Sequence, residues 1–135
     1  MANSFFVSDN VYRSIMSEHV YLLKEYEAVD GAPIEARPFF VSEDLVAVLV
    51  TMQPRARVPE HIHEHHDEIF DVIRGTGVFY LDGEAIRFEP GMTIVVTAGV
   101  RHGLQAGDEP WVLRETVHRH VYARKAIKRA IKKRL

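Results

Sequence analysis

The 135-residue sequence contains no cysteine. Disulfides therefore cannot stabilise the fold, and any metal site has to use nitrogen and oxygen ligands rather than thiolate. Long apolar runs are missing too. The longest, Leu45 to Val50, is far too short to cross a bilayer, which excludes a helical membrane-spanning protein. The opening MANSFFVSDN has neither a basic segment nor an extended apolar one, so it does not read as a secretory signal and a cytoplasmic protein is expected. With 47% hydrophobic and 27% charged residues, the composition is that of an ordinary globular domain. Its length leaves room for one core and little beside it.

Charge is unevenly spread. The net charge is -2, yet seven of the seventeen basic residues and none of the nineteen acidic ones fall between Ala123 and Leu135. The rest of the chain is a strongly acidic body carrying a basic tail. In that tail Ala123, Ala126, Ile127, Ala130 and Ile131 share one helical stripe, so a short amphipathic helix is expected, docked on the body or on a neighbouring subunit. Without an aromatic anchor in the stripe, a membrane or nucleic-acid partner ranks below docking.

The remaining pattern is one of short strands and frequent turns. Ser8-Asp9 is a cap for a short N-terminal helix carrying Val11, Tyr12, Ile15, Met16 and Leu23, and Val20 to Ala28 leaves helix and strand both open. Arg37 to Val41 and Asp44 to Met52 read as strands. The second is apolar on both faces, so a second sheet or a partner subunit should cover its outer side, and a homodimer is expected. Val78 to Leu81, Asp82-Gly83 and Ala85 to Phe88 form a strong hairpin signal. Pro90-Gly91, Ala98-Gly99 and Gly107 to Pro110 mark further turns, with strands at Thr93 to Thr97, through His102 and Leu104, and from Trp111 to Val121. Many short strands without alternating helices argue for an antiparallel sandwich or barrel.

The chemistry concentrates in one stretch, PEHIHEHHDEIFDVIRGTG from Pro59 to Gly77. On an extended strand His61 and His63 share one face and present two imidazoles to one point. Glu68 opens the next strand and can bring a carboxylate beside them, a donor set suited to a borderline divalent metal.

The pattern His61-x-His63, four residues, Glu68, six residues, Gly75 resembles the first motif of the cupin superfamily. Pro90-Gly91, Ala98-Gly99 and His102 resemble the second. The resemblance covers about Phe39 to His118. Three positions depart from it: Arg55 stands where cupins commonly have glycine, Thr97 where they have proline and Ala106 where they have asparagine. The resemblance implies an all-β double-stranded β-helix, or jelly roll, in which strands distant in sequence face one another so that His102 reaches the metal of His61. It implies His61, His63, Glu68 and His102 as ligands to one divalent transition metal, iron, manganese, nickel, zinc or copper. The domain plan is an N-terminal extension over residues 1–35, a cupin barrel over 36–122 and the basic helix over 123–135.

The other candidates have plainer readings. His65 and His66 are solvated turn residues, with a substrate-binding or metal-supporting role as the sharper alternative. His118 and His120 read as ordinary strand residues. Phe70, Val72, Phe79, Tyr80 and Trp111 are core or pocket lining. By alternation Arg74 shares the face of Glu68, where it would meet an anionic substrate, although a strand-end arginine is ordinarily just solvated, and its role is left open. No separate general base is identifiable. The function expected is a small metal-dependent enzyme acting on a small organic molecule, with a non-catalytic small-molecule sensor as the alternative. Fold alone does not select the reaction.

Overall fold

The computed structural model describes residues 19–28 and 31–122. Nine strands pair antiparallel in two sheets. They are β1 (Ile34–Val41), β2 (Leu45–Met52), β3 (Arg57–His61), β4 (Glu68–Arg74), β5 (Gly77–Leu81), β6 (Glu84–Phe88), β7 (Thr93–Val96), β8 (His102–Ala106) and β9 (Trp111–His118). One sheet runs β1-β2-β9-β4-β7 and the other β3-β8-β5-β6. Partners far apart in sequence lie side by side, as the jelly roll requires. Among the described residues no helix is long and apolar enough to cross a membrane.

Alternation explains the core. Val46, Val48, Val50 and Met52 of β2 point inward with Phe70 and Val72 of β4, and meet Phe79, Phe88, Leu104 and Ala106 from the other sheet. Side chains one position out of phase face the other way. Even so Leu49 and Thr51, on the outer face of β2, are buried. The segment 19–28 runs across this side: Tyr21 and Tyr26 pack on Phe39, with ring centroids 5.5 and 5.7 Å apart, and the Ala28 N–H donates to Thr51 Oγ1 at 3.2 Å. The cover expected for the outer face is thus supplied in part by the chain's own N-terminal portion. Within residues 19–28 the regular element is a 3₁₀ turn, Leu23–Tyr26, rather than a strand. The helix expected from Ser8 and the basic helix over 123–135 lie largely or wholly outside the described residues. A helical turn does begin at residue 119, and Val121 is buried in the core cluster.

The turns are where expected. Asp82 and Gly83 both have positive φ, 49° and 85°, the two-residue hairpin conformation that asparagine, aspartate and glycine favour. Gly77 has a different reason to be glycine: a Cβ there would lie 2.5 Å from the Trp111 ring. Trp111 can sit fully buried at the start of β9 because that space is left to it.

Arg55 is the exception to good turn chemistry. The Ala56 N–H donates to the Gln53 carbonyl at 3.0 Å, which closes a turn with Pro54 and Arg55 at its centre, and Arg55 has φ 67°. This is the position of a type II turn that favours glycine. The departure from the family pattern therefore carries a backbone cost, and the exposed ion pair between Arg55 and Asp108 offsets little of it. Arg55→Gly is expected to stabilise the protein by about 0.5–1 kcal/mol, read as a higher urea midpoint; a lower midpoint would show that the arginine contacts outweigh the strain.

Candidate metal centre

The two motifs meet at one end of the barrel. β3 and β8 are adjacent, and His61 pairs directly with His102 in the register. His102 therefore reaches His61 from the neighbouring strand and not, as expected, from across the barrel. Glu68 is the residue that comes from the opposite sheet, at the start of β4, where it pairs with Val96 and Val117. His63 lies two residues past the end of β3 and leads into the turn before Glu68. All four sequence-predicted residues are brought together.

Their ring nitrogens are oriented by the backbone. His61 Nδ1 lies 2.8 Å from the Pro59 carbonyl and His102 Nδ1 lies 3.0 Å from the Val100 carbonyl. A carbonyl oxygen can only accept, so each Nδ1 carries the proton and each Nε2 keeps its lone pair for a ligand. The ring centroids of His61 and His102 are 4.3 Å apart, and His63 lies 4.9 and 5.5 Å from them. One ligand atom from each of the three falls within 4.8 Å of the other two. The His102 ring lies nearly parallel to Phe79, at 6°, with a centroid separation of 6.1 Å. Packing thus fixes its plane as hydrogen bonding fixes its tautomer.

Glu68 is only 1% exposed and His102 is fully buried. His63 Nε2 stands 2.7 Å from Glu68 Oε1, and His102 Nε2 3.5 Å from Oε2. Both Nε2 atoms are buried and neither makes a hydrogen bond. Ligand atoms gathered around one ion stand close to one another without hydrogen bonds between them. Adjacent ligands on an octahedral ion with bonds of about 2.1 Å lie about 3 Å apart, and the two observed separations bracket that value. Three converging imidazoles, with the buried Glu68 carboxylate beside two of them, fit a divalent transition ion.

The donor set opens onto a cavity of about 330 Å³ between the sheets. Its wall is mainly apolar, with Val48, Val50, Met52, Val58 and Leu104 among the lining residues, while His61, His63, Glu115 and Tyr122 supply the polar groups. Glu115 is a functional candidate that the sequence reading missed. Trp111, Leu113, Glu115 and Val117 occupy one face of β9, the first two and the last buried, so a lone carboxylate on an otherwise apolar inward face was the available signal. Of the expected pocket residues, Phe70 lines the cavity, whereas Phe79 and Trp111 are fully buried core.

Other expectations need correction. Arg74 does not face the site. A register shift between Val72 and Arg74 breaks the alternation, as a β-bulge does, and Arg74 is exposed and ion-paired with Glu27. His118 and His120 are not ordinary strand residues. His118 ends β9, His120 lies in the helical turn that follows, and both gather with His66 into a second group. His65 is a solvated turn residue as expected, 65% exposed beside Glu64.

The turn between the ligands is tied to the turn before His102. Asp67 Oδ1 accepts from the Ala98 N–H at 2.8 Å, and the Gly99 N–H donates to the His63 carbonyl at 2.8 Å. The first of these depends on a side chain. Asp67→Ala is expected to cost about 1 kcal/mol in stability, and Asp67→Asn much less because an amide oxygen still accepts. Urea unfolding of both variants checks this, and equal losses would argue that the charge, not the hydrogen bond, matters.

A family model described as a cupin domain matches residues 48–121, more than half of the chain. No curated protein matches the sequence. Among solved structures, TT1209 from Thermus thermophilus is 24% identical, with a TM-score of 0.68 over 73% of this chain and 95% of that one. KdgF from a Halomonas species is 27% identical, with a TM-score of 0.65 over 73% and 90%. A predicted oxalate decarboxylase from Thermotoga maritima is 20% identical, with a TM-score of 0.59 over 63% and 79%.

Proposed function

The chain belongs to the cupin family, and from that premise we propose that it is a metal-dependent enzyme acting on a small organic molecule. The observation that carries this reading is the convergence of His61, His63 and His102, with the buried Glu68 beside the last two, next to a mainly apolar cavity that His61 and His63 line. In this reading those four residues are the ligands. A cavity of about 330 Å³ lies at the small end of the range for ligand pockets. Its lining suits a compact molecule with an apolar body and an oxygen function directed at the histidines.

A divalent ion held by this set supplies Lewis acidity towards a carbonyl or carboxylate oxygen of the substrate. The chain's own residues do the rest. The Pro59 and Val100 carbonyls hold His61 and His102 in the ligating tautomer, so no tautomer change is needed before binding. The apolar wall removes water from the substrate body and strengthens the electrostatics at the polar end. Glu115, across from Val48 and Phe70 in the register, is the cavity-lining group placed to take or return a proton. The relative described as an oxalate decarboxylase is too distant to choose a reaction type.

Elemental analysis of untagged protein, purified without chelator, tests the reading. We expect about one iron, manganese, nickel, copper or zinc ion per chain that is lost in His61→Ala, His102→Ala and Glu68→Ala, and retained in His65→Ala. A parent protein that holds no ion and takes none up at neutral pH, where imidazoles are largely deprotonated, would sink it. The homodimer draws support from the exposed Ile69, Ile73 and Val95 along β4 and β7. Sedimentation equilibrium should give twice the chain mass; a monomer mass at micromolar concentration would remove it.

A further inference from the structure

His66, His118 and His120 come from two parts of the chain that the register brings together. Glu68 at the start of β4 pairs with Val117 near the end of β9. The residues just before β4 and just after Val117 therefore lie at the same end of the sheet, and His118 is fixed there by its pairing with Leu45. The inward residues Glu68 and Val117 serve the barrel interior. His118 is one position out of phase and faces outward.

The three rings are close and mutually oriented. His66 and His118 stack with centroids 4.4 Å apart and planes 3° from parallel, and His120 stands nearly edge-on to both, at 75° and 72°. One nitrogen from each lies within 4.8 Å of the other two. His66 and His118 are half-buried and His120 is exposed, so the group is open to solvent on one side. Protonation of all three rings would place like charges in contact, whereas one shared cation reverses the sign of that interaction.

We propose that His66, His118 and His120 form a second metal site on the outside of the barrel, for a borderline divalent ion such as Zn²⁺. Three neutral imidazoles with solvent completing the shell suit zinc, nickel or copper better than magnesium or calcium, which take oxygen ligands. The ion would clip the turn before Glu68 to the start of the C-terminal helical turn. Binding has a local cost: His118 Nδ1 accepts from the His120 backbone N–H at 3.2 Å, and an ion on either nitrogen of that ring replaces this bond. With Nδ1 accepting, the neutral ring carries its proton on Nε2. Ligation through Nε2 moves that proton to Nδ1, and ligation through Nδ1 uses the accepting lone pair itself.

The test is equilibrium dialysis of the untagged full-length chain against Zn²⁺ at neutral pH, followed by elemental analysis and far-UV circular dichroism. The parent should bind one more zinc per chain than His66→Ala or His120→Ala, with the same circular dichroism. His102→Ala, which alters the barrel centre, should keep this outer ion. Equal zinc in the parent, His66→Ala and His120→Ala would overturn the proposal. His66→Ala changes a turn side chain and His120→Ala an exposed one, so the pair does not depend on removing the half-buried His118. A loss of zinc confined to His102→Ala would support the barrel centre and count against the outer site, which keeps the two assignments separable.

Discussion

The structure depends on how the charge of Glu68 is met. A carboxylate that is 1% exposed costs several kcal/mol unless neighbouring groups compensate it. What stands beside it is the imidazoles of His63 and His102, at 2.7 and 3.5 Å, within a β-sheet core. Imidazoles compensate a carboxylate in one of two ways, by carrying a proton or by sharing a cation with it. The Nδ1–H of His102 is already committed to a backbone carbonyl, which leaves its Nε2 facing the carboxylate at 3.5 Å, and His63 Nε2 stands nearer, at 2.7 Å. A lone pair directed at an anion repels it, so positive charge at these nitrogens stabilises the burial, and a cation shared between them and the carboxylate supplies it. The metal reading rests on this electrostatic demand as much as on the spacing of histidines.

Backbone register meets the demand from three directions. His61 and His102 are supplied side by side by β3 and β8, and Glu68 by the facing sheet. The hydrogen bonds from Ala98 to Asp67 and from Gly99 to His63 fasten the two motif turns to each other. A cavity lined by side chains of β1, β2, β3, β4, β8 and β9 then opens from the same end. Pre-organisation of this kind lets a site bind without spending free energy on ordering.

Much of this was legible in the sequence because it is local. Asp82-Gly83 specifies a hairpin, alternating valines specify a buried strand, and His-x-His specifies two imidazoles on one face; all three are as expected. What was not legible depends on pairing at long range. Counting in twos puts Arg74 on the ligand face, and the count fails at a register shift against β9 as the partner strand. His66 cannot be joined to His118 and His120 without knowing that β4 and β9 are neighbours and that Glu68 is opposite Val117. Glu115 lay between these cases. Its parity with Leu113 and Val117 was readable, but a polar residue in a strand ordinarily faces solvent, and only the cavity shows that this one lines the interior.

The short stretch from His63 to Glu68 belongs to both histidine groups, which constrains how they can influence each other. His63 and Glu68 point into the barrel, and His66 between them packs on His118 outside. An ion on one side could alter affinity on the other only through a change in this turn, and the size of the effect is limited by how differently the turn is held in the two states. The hydrogen bonds from the Ala98 and Gly99 N–H groups anchor it at Asp67 and His63, on either side of His66. That anchoring favours independence between the centres. Because Tyr122 lines the cavity and His120 sits in the same helical turn, the more direct route from the outer group to the barrel interior is through the start of the C-terminal segment. An ion at His120 would act on the cavity through Tyr122, which follows in the same helical turn.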